Sequence, residues 1–105
     1  MPSANEVSPG KWSDIEVLFD DGAYSVIAGT YAGQKHCLGE RWNGGAGSLG
    51  FPSQAGYPIY HVVPEFLTRW VLHGLMSELA RRPGIAGRDG YIDAVVKELA
   101  TLPTA

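Results

Sequence analysis

The sequence predicts a two-layer α+β domain in which an antiparallel sheet of about four strands packs with two C-terminal helices. Three strand-like segments separated by short turns come first, and a long loop with a fourth strand follows before two helical patterns. Strands joined by short turns favour an antiparallel meander. Helices gathered at one end of the sequence are typical of the α+β class.

The first strand is expected over 13–20, where side chains alternate between two faces with a period of two. One face carries Ile15, Val17 and Phe19, and the other carries Glu16, Leu18 and Asp20. Gly22 closes the hairpin, because this residue can adopt the positive φ that such turns require. The second strand, 23–31, is rich in Tyr, Val, Ile and Thr.

A turn at 32–34 leads to the third strand, 35–42. Gly29 and Gly39 lack side chains within strands, which predicts a bulge or the close approach of another group. The fourth strand is expected over 57–63 after the loop 43–56, and Pro58 confines it to a sheet edge or a strand start.

The first helix is expected over 64–82, because Pro64 suits the first helical turn. Its apolar residues cover much more than one stripe, so one sheet cannot bury them all. We therefore expect a homodimer formed through helix 64–82, with Gly74 allowing close approach of the helices. A second helix, from about Asp89 or Gly90 to Leu102, has an ordinary amphipathic stripe.

Composition and charge limit the classes of function. The 105 residues predict a single domain over 12–105, preceded by a flexible arm at 1–11. Eight Lys and Arg against eleven Asp and Glu give a net charge of −3, so nucleic acid and membranes are not expected partners. The single cysteine, Cys37, excludes an intrachain disulfide and favours a reducing cytoplasm.

Three familiar kinds of chemical site each lack a required part. The histidines show no zinc-motif spacing, and the glycine-rich run 43–50 lacks a phosphate-loop signature. Cys37 follows His36 directly, but neighbours in a strand point to opposite faces and cannot form a nucleophile and base pair. We therefore predict no metal, no cofactor and no catalytic residue, while the role of Cys37 stays open.

The two ends of the long loop carry the best candidates for ligand binding, because they combine rings with polar groups. The residues are Arg41, Trp42, Asn43, Tyr57, Tyr60 and His61. A structural alternative stays open for the first three. In that alternative, Trp42 fills the core, Arg41 pairs with Glu40 or Glu65, and Asn43 starts a turn.

The segments LGERWNG, GFPSQAGYP and HVVPEFL, read in order between about Lys35 and Leu72, resemble small uncharacterised bacterial proteins carried on mobile gene cassettes, as in integrons. The resemblance implies a bacterial cytoplasmic origin and an accessory role, and it assigns no catalytic residues.

Three functions remain as hypotheses. The first is a homodimeric binding module with an aromatic-lined cleft for a small organic ligand or a peptide. The second is a protein-interaction accessory, antitoxin-like or regulatory, whose loop recognises another chain. The third is a small hydrolase-type enzyme with His61 as general acid or base and Arg41 stabilising an anion.

Overall fold

The computed structural model describes residues 11–44, 48, 50–54 and 57–103, so the expected flexible arm lies outside the described residues except at its last position. The elements in chain order are β1 (Trp12–Asp20), β2 (Tyr24–Tyr31), β3 (Gln34–Trp42), β4 (Ser53–Gln54), β5 (Tyr57–Pro58), β6 (His61–Val62), a 3-10 turn (Glu65–Leu67), α1 (Thr68–Arg81) and α2 (Arg88–Leu99). An antiparallel sheet has the strand order β1-β2-β3-β6, and β4 and β5 form a separate pair. The predicted α+β class is confirmed.

The simple alternation predicted for β1 is wrong, because the strand contains two irregularities. Its register with β2 shifts between Ser13 and Glu16 and again between Val17 and Phe19. Such shifts bend a strand and redirect its side chains. Consequently the consecutive residues Leu18 and Phe19 are both buried in one apolar cluster.

This main cluster lies between the sheet and the two helices. Leu72, Leu75 and Leu79 form the buried stripe of α1, and Ala94 and Val95 contribute from α2. The sheet supplies Leu18, Phe19, Val26, Ala28 and Leu38, and Val63, which directly follows β6, also belongs to the cluster. The helices therefore cover one face of the sheet.

A second cluster, formed by Trp12, Ile27 and Tyr60, covers the opposite face. Ile27 lies between two residues of the main cluster, and successive side chains of a strand point to opposite faces. The Trp12 ring lies 5.0 Å from the Tyr31 ring and 6.2 Å from the Tyr60 ring, measured between centroids.

The two strand glycines make room for this cluster. A Cβ on Gly39 would lie 2.8 Å from Cζ2 of Trp12, and one on Gly29 would lie 2.9 Å from the carbonyl oxygen of Ser13. Ser13 borders the first irregularity of β1. The close approach predicted from the positions of these glycines is confirmed.

The later elements differ from their predicted bounds. The fourth strand, expected over 57–63, is divided: β5 pairs with β4, and only β6 joins β3. The division has a hydrogen-bond cause, since the Ile59 amide donates to Pro52 and its carbonyl accepts from Arg41. The helix expected over 64–82 has a 3-10 first turn, and the second helix is α2, which spans 88–99.

Neither helix of the described chain has the length and apolar character needed to cross a bilayer.

Replacing Gly39 with Ala should destabilise the fold by about 1–3 kcal/mol, because the added methyl group overpacks the Trp12 ring. Urea denaturation would measure the change in the free energy of unfolding. Gly90→Ala in α2 is the matched control, since a Cβ there meets nothing within 4 Å and Ala is favoured over Gly in helices. Equal stability of the two variants would contradict the packing assigned to Trp12.

Candidate functional site

An open cleft of about 890 Å³ lies where β3 begins, beside the start of α1. Its walls come from three separate segments: the first residues of β3, the chain from β6 into α1, and the residues that follow α2. The lining side chains are Gln34, Lys35, His36, Cys37, Val62, Val63, Pro64, Glu65, Phe66, Thr68, Arg69, Thr101, Leu102 and Pro103.

The cleft exists because β6 is short. It pairs with β3 only at Gly39 and Glu40, and the Val63 amide adds one bond to the Leu38 carbonyl. Pro64 then directs the chain into the 3-10 turn. No described strand pairs with β3 on this side before Leu38, so the first residues of β3 form an open wall.

The cleft is lined by one carboxylate, Glu65, and by two cations, Lys35 and Arg69. Neither cation has an acidic partner among the described residues. Four other basic side chains do have one, at 2.6 to 3.9 Å: the pairs are Arg81–Glu78, Arg82–Asp21, Arg88–Asp89 and Lys97–Glu16. One guanidinium nitrogen of Arg69, Nη2, donates to the Pro103 carbonyl at 2.5 Å. Two cations therefore line one cavity in a chain whose net charge is −3.

Apolar surface lies beside these cations. Phe66 is 77% exposed at the start of the helical region, and Val62, Pro64 and Leu102 also line the cleft. The volume falls within the range of about 300–1,000 Å³ that is typical of small-molecule sites. The cleft therefore offers both apolar and charged contacts.

Two of the predicted binding residues, Arg41 and Asn43, are fully buried. Arg41 donates from Nη1 to the Ile59 carbonyl and from Nη2 to the Trp42 carbonyl, both at 3.2 Å. Burial lowers the pKa of its guanidinium from the ordinary value. These bonds join Arg41 to the chain on both sides of the long loop.

The Asn43 side chain connects three parts of the chain. Its Oδ1 accepts from the Ser25 hydroxyl at 2.8 Å, and its Nδ2 donates to Asp20 Oδ1 at 3.2 Å. Its backbone amide donates to the Ala23 carbonyl at 2.7 Å. Asn43 thus links the end of β3 to the β1–β2 hairpin.

Trp42 is 59% exposed, so the alternative that places its ring in the core is wrong. The ring lies 4.7 Å from that of Tyr24, between centroids. Its amide and carbonyl both bond to Phe51 across the loop, at 2.7 and 2.9 Å. Phe51 is also exposed, so two rings on paired backbone positions face solvent.

The remaining predicted residues do not form one cluster. Tyr60 is buried beside Trp12, and burial raises the pKa of its hydroxyl to about 12. His61 is exposed on β6, and Tyr57 lies in β5 with its side chain outside the described structure. Ligand binding by the six residues stays a prediction, and Trp42 and His61 are exposed among the members whose side chains the structure describes.

The residues of the cleft were not predicted from the sequence, because no local pattern joins 34–37, 62–69 and 101–103. The sequence even offers Arg69 an acidic partner at helical spacing, since Glu65 lies four residues before it. Glu65 lies in the 3-10 turn, and no described ion pair joins the two side chains. His36 and Cys37 line the cleft but have different neighbours, since His36 Nδ1 lies 3.3 Å from Glu98 Oε2 and Cys37 packs beside the Trp12 cluster.

Within the described ranges, no group of three or more His, Cys, Asp or Glu side chains is placed to hold a metal ion. No protein-family model matches the sequence, and no curated protein or solved structure is significantly similar to it. The resemblance to proteins of integron cassettes therefore stays a prediction.

Replacing Asn43 with Ala should lower the free energy of unfolding by about 1–3 kcal/mol, because the buried Ser25 hydroxyl loses its acceptor. Urea denaturation would measure this. The double variant with Ser25→Ala should lose less than the sum of the single losses. Gln34→Ala, at the exposed start of the same strand, is the control; a loss as large as that of Asn43→Ala would refute the assigned role.

Proposed function

We propose that the protein is a binding module that holds a small organic ligand in the cleft between β3, the start of α1 and the segment after α2. The observation that carries this proposal is the cleft itself, a cavity of about 890 Å³ whose lining has an exposed ring and two cations without an acidic partner among the described residues. Pockets with an apolar lining and few polar groups are the usual form of small-molecule sites.

The cleft suits a ligand better than the cluster around Arg41 does. Arg41 and Asn43 already donate to groups of their own chain and lie away from solvent. By contrast, Lys35 is exposed and Arg69 has only the Pro103 carbonyl as a described partner. Donors that have few internal bonds are available to a ligand.

Protein recognition is the second candidate function, in line with an antitoxin-like or regulatory accessory. It is favoured by the exposed rings of Trp42 and Phe51, which lie at paired positions of a β-bridge. Exposed aromatic residues are enriched at protein interfaces. A hydrolase with His61 as acid or base has weaker support, because its assigned partner Arg41 is buried and bonded to carbonyls.

We also propose that two copies associate through the outer face of α1. Trp70 is 67% exposed on this face, opposite the buried leucines. Gly74 lies one turn further along, and a Cβ there would meet nothing within 4 Å. In an antiparallel pair of α1 helices, Trp70 of each copy can lie over the bare backbone at Gly74 of the other.

A thermal-shift screen against a metabolite library tests the binding module. A ligand present at about a hundred times its Kd adds about 2.7 kcal/mol to the free energy of unfolding, which raises the Tm of a domain this size by roughly 10 °C or more. The shift should vanish in Thr101→Trp, which fills the cleft, and persist in Ala100→Trp, its neighbour outside the lining. Loss of the shift in both variants, or in neither, would refute the cleft as the site.

Sedimentation tests the dimer. The protein should sediment as a dimer at high micromolar concentration, and Trp70→Ser should shift it toward monomer because the anchor of the interface is removed. Val96→Ser is the matched control, since Val96 is an exposed apolar residue on the other helix. A monomeric parent protein at the same concentration would contradict the proposal.

A further inference from the structure

We infer that the ligand of the cleft is a small organic monocarboxylate with an apolar body, an inference that rests on the binding function proposed above. The charge of the lining supports an anionic ligand. Lys35 and Arg69 contribute two positive charges and Glu65 one negative charge, so the lining has a net charge of +1 when His36 is neutral. The whole chain has a net charge of −3, so the cleft departs in sign from the rest of the molecule.

Few exposed basic side chains of the described chain lack an acidic partner. Acidic residues outnumber basic ones in the chain, and Arg81 and Lys97 have carboxylate partners, whereas Lys11, outside the cleft, has none that is described. Lys35 and Arg69 have none among the described residues, although they line one cavity. An anion bound between them would supply the missing partner.

Arg69 favours a carboxylate as that anion. A guanidinium has five N–H donors in a planar fork, and the described structure uses one nitrogen of Arg69, on the Pro103 carbonyl. The remaining donors suit the two oxygens of a carboxylate, which such a fork binds in a bidentate manner. The Lys35 ammonium adds a point charge without a preferred plane.

The rest of the lining determines what the carboxylate is attached to. Phe66 is exposed, and Val62, Pro64 and Leu102 are apolar. These groups gain free energy by burying an aromatic or aliphatic body. The net charge of +1 balances a monoanion and leaves a doubly charged phosphate ester unbalanced.

Phenylacetate and its neutral amide, phenylacetamide, form a matched pair of probes that differ in charge. Titration at low ionic strength, followed by ¹H–¹⁵N spectra, should show saturable shifts at the amides of 34–37 and 65–69 with phenylacetate. Phenylacetamide should bind about tenfold or more weakly, because a hydrogen bond to a charged group contributes more than one to a neutral group. Screening by added salt should weaken only the carboxylate.

Substitutions of Lys35 and Arg69 test whether these side chains contact the carboxylate of phenylacetate. Arg69→Gln and Lys35→Gln should each weaken phenylacetate about tenfold or more, whereas Arg69→Lys should fall between Arg69→Gln and the parent because the fork is lost and the charge is kept. Lys11→Gln is the control, since Lys11 also lacks a described acidic partner but lies outside the cleft. Lys35 is exposed, so its variant keeps the test valid if a change at Arg69 impairs folding.

The outcomes separate this inference from the proposed function. If phenylacetate and phenylacetamide bind the cleft equally well, the inference of a carboxylate ligand is wrong, but the proposed binding module is still supported. Tighter binding of phenyl phosphate than of phenylacetate would also overturn the carboxylate alone. If the protein is folded but its cleft amides respond to none of the three probes, the inference of a carboxylate ligand is wrong. The cleft would still be supported by a ligand from the metabolite screen whose thermal shift is lost in Thr101→Trp.

Discussion

The buried guanidinium of Arg41 determines how the chain returns to the sheet after the long loop. By donating to the carbonyls of Trp42 and Ile59, it joins the last residue of β3 to the first of the two residues between β5 and β6. A buried charged donor that loses its acceptors is strongly destabilising, so these two carbonyls are fixed in place. Gly50 completes the arrangement, since a Cβ there would overlap both the Trp42 carbonyl oxygen and Nη2 of Arg41.

The cleft depends on where the returning chain leaves the sheet. This chain pairs with β3 at Gly39 and Glu40, and it leaves after the Val63 amide has bonded to Leu38. In this antiparallel register, a strand continued through 64–67 would lie beside 34–37. Pro64 instead directs the chain into the 3-10 turn, and the start of β3 stays open.

Turn chemistry explains why the overall architecture could be predicted. Gly22 and Gly33 have positive φ at the two hairpin turns, and Pro64 precedes the first helical residues. Glycine permits the positive φ of such turns and proline fixes its own φ, so neighbouring residues suffice to predict where the chain turns. The strands β1 to β3 and both helices therefore lie close to their predicted bounds.

Predictions that depended on distant residues were less successful. The irregularities of β1 bring Leu18 and Phe19 to one cluster, and nothing in the alternating pattern indicates them. Hydrophobicity alone favours a buried Trp42 and an exposed Arg41, yet the structure has the reverse. Alternation separates the faces of a strand, but which face is covered at a given residue depends on segments far away in sequence.

Among the described residues, few hydrogen bonds join the walls of the cleft. The bond from Arg69 to Pro103 connects α1 to the segment after α2, and no described strand connects the start of β3 to the chain entering α1. An anion held by both Lys35 and Arg69 would bridge these two walls. Part of the binding free energy would then be used to order the walls, so the affinity is lower than in a cleft whose walls are already joined.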